Sequence, residues 1–190
     1  LNPSSEAELF IDKNGCRYAP RLRKNSLYDD TTNILPASHK QDFYLGFELP
    51  GQLKNLHWFT KPTQPLANQD IRVDVKATGL NFRDIMYTLG LLSDEAIENG
   101  FAGPTLGFEF AGRVTEVGSN VDDYKIGDLV VGFGPASFSN SVITQSSAIA
   151  HIPEGISFEA AATIPSTFFT VYYAMHYLAR LEPEEKVLIH

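Results

Sequence analysis

Cysteine is almost absent: Cys16 is the single one in 190 residues. One thiol closes no internal disulfide and builds no cysteine-rich zinc site, and such sparing use suits a reducing cytoplasm. No run approaches the ~18 apolar residues a spanning helix needs, which excludes an integral helical membrane protein. Leu1 onward shows no basic segment followed by an apolar one, so an intact secretory leader is not expected. Positive charge is in deficit. Fifteen Lys and Arg stand against 23 Asp and Glu, a net charge of −8. That argues against a nucleic-acid binder, which needs a basic footprint, and against a polybasic membrane anchor. The five histidines, His39, His57, His151, His176 and His190, are scattered and form no HExxH pair or Cys–His cluster. Internal repeats and low-complexity tracts are missing as well. What is present is a chain 43% hydrophobic and 12% aromatic. At this length such a chain can bury roughly 70% of its unfolded surface without a staple.

Local signals divide the chain. Ala7 to Ile11 reads as a short strand, Asn14-Gly15 as a hairpin turn, and Cys16 to Leu22 as the return strand, with Pro20 restricting it to an edge. Residues 23–42 are polar and read as a surface connection. Phe43 to Glu48 is apolar enough for a strand, and Pro50-Gly51 forces a turn. From Ile71 to Ala77 apolar and polar residues alternate, which predicts a strand with one face on a core. Asn81 can cap a helix running to about Leu89, with Asp84 at its third position in a capping-box arrangement, and Gly90 ends it. Ser93 to Asn99 suggests a further helical turn.

Residues 105–152 read as successive strands separated by glycines, with Leu129-Val130-Val131 as core. Ser157 can cap Phe158 to Thr163. Pro165 suits the first turn of a helix reaching about Ala179, and Lys186 to His190 reads as the start of a strand. The fold class is therefore mainly β: an antiparallel, partly closed β-structure with flanking helices.

Four segments carry a family resemblance. Ala77-Thr-Gly-Leu-Asn-Phe-Arg-Asp-Ile-Met86 resembles a motif of the medium-chain dehydrogenase/reductase superfamily. Gly107-Phe-Glu-Phe-Ala-Gly-Arg-Val114 leading into Val117-Gly118, then Gly127-Asp-Leu-Val-Val-Gly132, then Ile152 to Pro165 leading into Thr170-Val-Tyr-Tyr-Ala174, follow in the family's order. The NFRD wording and the Tyr-Tyr-Ala-Met helix end are most similar to the enoyl reductase domains of modular polyketide synthases and animal-type fatty acid synthases. Glu8-Leu-Phe-Ile11 and Arg17-Tyr-Ala-Pro-Arg-Leu22 are similar to the start of those domains.

The resemblance implies a GroES-like substrate-binding lobe over residues 1–180. Within it, 1–60 would hold the N-terminal strands and connection, 70–152 the core motifs and 157–179 the helices. Residues 185–190 would begin a Rossmann nucleotide-binding lobe, with Val187 to His190 as its first strand and a glycine-rich phosphate loop expected beyond. No glycine-rich stretch of this sequence sits between a strand and a helix as a dinucleotide fingerprint does.

Site expectations follow from the same resemblance. In the zinc-dependent alcohol dehydrogenases of the superfamily a cysteine stands where this chain has Asn81 and a histidine where it has Phe108. Neither replacement is a good zinc ligand, so a zinc-free site is implied. Asn81, Phe82 and Thr170 are implied to lie on the nicotinamide side, Asn81 also serving as helix cap and Phe82 as cleft wall or core. Tyr87, one turn past Arg83, could donate a proton or orient a thioester carbonyl, or it could be a half-buried packing aromatic. Leu91 and Leu92 stand where related enoyl thioester reductases carry a tyrosine, and with Phe138 they would line an acyl channel.

The implied activity is NADPH-dependent reduction of an enoyl thioester held on an acyl carrier protein, beside neighbouring synthase domains in the cytoplasm. Hydride would go to the β-carbon and a proton to the α-carbon. Without the nucleotide half, the chain alone is expected to bind NADPH weakly and to be inactive. Two other readings stay open: a zinc-free quinone or enone reductase, and a non-catalytic structural or interaction lobe.

Overall fold

The computed structural model describes residues 10–11, 13–14, 16–18, 41–98, 100 and 102–189. The chain divides into two units, Leu1–Ser38 and His39–His190.

In the first unit, β1 (Phe10–Ile11) pairs antiparallel with β2 (Arg17–Tyr18), Phe10 opposite Tyr18. This is the hairpin expected around Asn14, described over two residues a side. Expected strand residues 7–9 and 19–22, and most of the polar connection, lie outside the described residues.

The second unit is built on sheets. β3 (Asp42–Gly46) pairs antiparallel with β4 (His57–Lys61). A five-stranded antiparallel sheet follows, in the order β8 (Ser141–Gln145), β5 (Asp70–Thr78), β6 (Glu109–Val117), β7 (Leu129–Phe133), β9 (Ile149–His151). The sheet is open but curled. Thr144 Oγ1 on edge strand β8 donates to the Phe133 carbonyl at the end of β7, 2.8 Å away, although β5 and β6 lie between those strands in the sheet. One face buries Ile71, Val73, Phe110, Val114, Val130, Val142 and Ile149. The other packs Ala111 and Val131 under Ala161 and Ala162 of α3 (Phe158–Ala161) and its C-cap.

The alternation read along β5 fails at one place. Ile71, Arg72 and Val73 are all buried, because a register shift between Arg72 and Val73 breaks the two-residue period. A buried guanidinium must be paired. Arg72 Nη1 donates to Asp42 Oδ2 at 3.2 Å, Nη2 donates to the Gln64 carbonyl, and Nε lies 3.0 Å from Glu116 Oε1. With Lys61 Nζ donating to the Ser141 carbonyl at 2.9 Å, these contacts fasten the β3–β4 hairpin to the large sheet.

Helices α1 (Phe82–Thr88) and α2 (Asp94–Glu98) fall where the caps place them, and Gly90 follows α1 with φ +68°. The single helix read from Pro165 to about Ala179 is instead α4 (Ile164–Tyr172) and a π-helical segment, Tyr173–Leu178. Its widened turn is marked by the Ala179 amide donating five residues back to Ala174 O at 2.9 Å. Rings stacked four apart, Tyr172 on His176 and Tyr173 on Tyr177, accompany it. The strand read from Lys186 is absent at 186–189. A strand exists only beside a hydrogen-bonded neighbour, and no described strand pairs there, so Leu188 and Ile189 are exposed. Among the described residues no helix is long and apolar enough to cross a membrane.

Candidate functional site

Three elements converge on Glu109, the first residue of β6. The extended backbone at Asn81 leads into α1, and Asp84 Oδ2 accepts from the Asn81 amide at 3.1 Å to close the capping box. The Asp84 carboxylate is buried, and its other oxygen accepts from the Gly107 amide at 2.9 Å. Arg83 donates to the carbonyls of Gly103 and Thr105. Together these bonds fix the start of α1 against the loop before β6. That loop needs glycine at 107, where φ is +75° and a Cβ would meet Ser137 Oγ at 2.5 Å.

The fixed turn aims the Asn81 side chain at Glu109, 4% exposed, whose Oε1 accepts from Asn81 Nδ2 at 2.6 Å. Glu109 Oε2 accepts from the Ser166 amide in the first turn of α4 at 2.8 Å, where an anion also meets the positive end of the helix dipole. Thr170, one turn on, donates from Oγ1 to the Ser166 carbonyl at 2.7 Å. The Glu109 carbonyl accepts from Thr78 Oγ1 and from the fully buried Ser137 hydroxyl, at 2.7 and 3.0 Å. Gly79 makes room for the carboxylate: a Cβ there would lie 2.3 Å from Glu109 Oε1. One continuous line of hydrogen bonds therefore joins Asn81, Glu109, Ser166 and Thr170.

Beside this line opens an apolar cavity of about 450 Å³, lined by Phe108, Phe133, Ala148, Ser166, Phe169 and Thr170. Phe108 immediately precedes Glu109, so one residue pair supplies both a cavity wall and a strut.

The other expected site residues lie apart from this cavity. Tyr87 lines a separate cavity of about 230 Å³ with Tyr44, Phe47, Phe59 and Leu106. Its ring packs on Phe47 at 4.8 Å between centroids, with the Arg83 guanidinium 5.0 Å above it. Burial pushes its phenol up, against the pull of the Arg83 charge, so the hydroxyl keeps its proton. Phe82 is 74% exposed and Leu91 64%, while Leu92 is half-buried. Phe138 is half-buried, and its carbonyl accepts from the Leu45 amide at 2.7 Å, holding β3 to the loop. Among the described residues no group of three or more His, Cys, Asp or Glu is placed to hold a metal ion.

Glu109 was missed by the sequence reading. The available signal was a lone charge inside the apolar run Phe108-Glu109-Phe110-Ala111, where a buried carboxylate demands donors.

An open, curled antiparallel sheet with an apolar cleft beside its capping helices defines a GroES-like lobe of the medium-chain dehydrogenase/reductase type. Residues 67–167 match the model of the alcohol dehydrogenase GroES-like domain, and the chain belongs to that family. Its relatives are polyketide synthases. It is 38% identical over 148 residues to polyketide synthase GfsB of Streptomyces halstedii, covering 77% of this chain and 2% of that protein. It is 31% identical over 199 residues to the low-reducing polyketide synthase drtA of Aspergillus calidoustus, covering 98% of this chain and 8% of that protein. Among solved structures it superposes on the CurK enoyl reductase with a TM-score of 0.70 at 33% identity, over 76% of this chain and 45% of that one. The quinone oxidoreductase of Escherichia coli, solved in complex with NADPH, gives a TM-score of 0.63 at 31% identity, over 75% of this chain and 43% of that one. The lobe is enoyl-reductase-like, and it spans a small part of the synthases and just under half of the reductases it matches.

Proposed function

We propose that residues 1–180 form the substrate lobe of an NADPH-dependent enoyl reductase that acts on enoyl thioesters carried by an acyl carrier protein among neighbouring synthase domains. The observation that carries this reading is the hydrogen-bonded line from Asn81 to Thr170 along the side of an apolar cavity. The cavity suits the nicotinamide end of the cofactor. Its walls are aromatic and its volume admits a flat, weakly polar ring, while Thr170 Oγ1, already donating to Ser166, keeps lone pairs for a carboxamide N–H. The pyrophosphate end has no such partner, because no described glycine-rich turn stands between a strand and a helix. Its recognition would fall to the nucleotide-binding lobe that the family resemblance implies. When bound, the cofactor supplies the hydride.

This chain's contribution is positioning. Phe108, Phe133 and Phe169 supply an apolar wall for the reacting carbons, and the Asn81–Thr170 line fixes the spacing of the polar groups beside it. With Asn81 and Phe108 as non-ligands, stabilisation of the developing enolate oxygen falls to hydrogen-bond donors rather than to zinc.

The test is nicotinamide oxidation by the protein as its gene encodes it, with a crotonyl thioester and a benzoquinone as competing acceptors. The proposal expects turnover of the thioester, with NADPH favoured over NADH. Preferential quinone turnover would favour the second reading, a quinone reductase, which rests on the likeness to the quinone oxidoreductase fold.

A further inference from the structure

We infer that Glu109 is a positioning residue: its carboxylate is the strut that sets the Asn81 amide and the N-terminal turn of α4, which lines the apolar cavity, in one fixed relation. The inference rests on the proposed function for its catalytic consequence and on geometry alone for the strut.

Glu109 is buried, and its two oxygens are spent on two donors from elements far apart in sequence, Asn81 Nδ2 at 2.6 Å and the Ser166 amide at 2.8 Å. Each oxygen accepts from one of the two donors, so the carboxylate ties two distant elements together. Orientation is the role this geometry supports. The strut also fixes the Asn81 amide. With Nδ2 bound to Glu109 and the capping box closed by Asp84, a flip would place an oxygen against the carboxylate. Gly79 completes the device, because any side chain there would occupy the place of Glu109 Oε1.

The geometry dictates a rescue. Glu109→Gln keeps the shape but offers one acceptor and one donor, so either one partner loses its bond or the Asn81 amide turns over and gives up its oxygen's place at the start of α1. Asn81→Asp alone faces two carboxylates across 2.6 Å. In the double variant Asn81→Asp/Glu109→Gln the polarity of that contact is reversed. The new amide nitrogen at position 109 donates to the new carboxylate at position 81, and the amide oxygen still accepts from Ser166.

The experiment measures hydrogen–deuterium exchange at the Ser166 amide, together with KM and kcat for a crotonyl thioester, in the protein as its gene encodes it. Glu109→Gln is expected to speed Ser166 exchange and to lower kcat/KM, each by about ten- to a hundredfold, as loss of a buried bond to a charge implies. Exchange along the β5–β6 ladder should stay unchanged. The double variant should regain most of both losses. Ser166 exchange equal to wild type in both Glu109→Gln and Glu109→Ala, or a double variant no better than the sum of the singles, overturns the strut. A kcat/KM loss matched by an equal loss of folded protein overturns the catalytic consequence. Because exchange is read without substrate, a protein that reduces no enoyl thioester overturns the proposed function separately.

Discussion

Removing the Asp84 carboxylate isolates the clamp beneath the site. Asp84 is 3% exposed and accepts two backbone donors, Asn81 N at 3.1 Å and the buried Gly107 N at 2.9 Å. Asp84→Ala removes one half of a capping box, about 1 kcal/mol. It also leaves the buried Gly107 N–H without an acceptor, about 1–3 kcal/mol. The sum is about 2–4 kcal/mol. At ~2–4 °C per kcal/mol for a domain of this size, the melting temperature should fall by about 4–16 °C. Asp84→Asn keeps one acceptor oxygen and should lose about half as much. Calorimetry gives the melting temperature, and urea unfolding followed by Trp58, the only tryptophan in the sequence, gives the free energy. A loss below about 0.5 kcal/mol for both variants, within the range of an ordinary surface change, would refute the clamp.

Gly79→Ala should displace the Glu109 carboxylate and cost about 1–3 kcal/mol by overpacking, with a fall in turnover parallel to that of Glu109→Gln; wild-type stability and activity would contradict the close approach. Tyr87→Phe should lower turnover less than about tenfold, since its ring packs between Phe47 and Arg83 outside the Phe108–Thr170 cavity; a loss near a thousandfold would make the hydroxyl catalytic. Asp128 is held below the usual carboxylate range, first by the Lys125 amide and then by His151, 3.1 Å away. The folded state therefore binds its proton less readily than the unfolded chain. The stabilisation is present above the ordinary carboxylate pKa, about 4, and is lost as pH falls through the lower folded value. In pH-dependent unfolding the difference between wild type and Asp128→Asn should shrink on acidification, and a difference constant across that range would contradict the pairing. Purified without chelator, the protein should carry no stoichiometric zinc by elemental analysis, because Asn81 and Phe108 offer no thiolate or imidazole.

The sequence was most legible where the signal is local. The Asn14 turn and the Asp84 box each act within a few residues, and both elements formed where their signals lie. β4 was not foreseen, because a strand of a two-stranded sheet with three exposed positions carries no two-residue period. Alternation from Ile71 to Ala77 would put Arg72 on the outer face, and a bulge leaves no trace in that pattern. The π-helical segment comes with ring stacking, which helix propensity does not report. For the site, Asn81 and Thr170 were reached through family resemblance rather than through any pattern of their own. The link between them was hidden because Glu109 finds its partners 28 and 57 residues away. Phe82 shows the converse: a plausible wall by motif, it stands 74% exposed beside the site's cap.

The central claim is tested most directly by tracing the hydride. NADPH carrying deuterium at the transferable position of its nicotinamide ring is supplied with a crotonyl thioester on an acyl carrier protein, and the product is read by mass spectrometry and NMR. The account predicts one deuterium at the β-carbon and a solvent proton at the α-carbon. A product without deuterium at the β-carbon, or an untouched thioester alongside rapid quinone reduction, would contradict it.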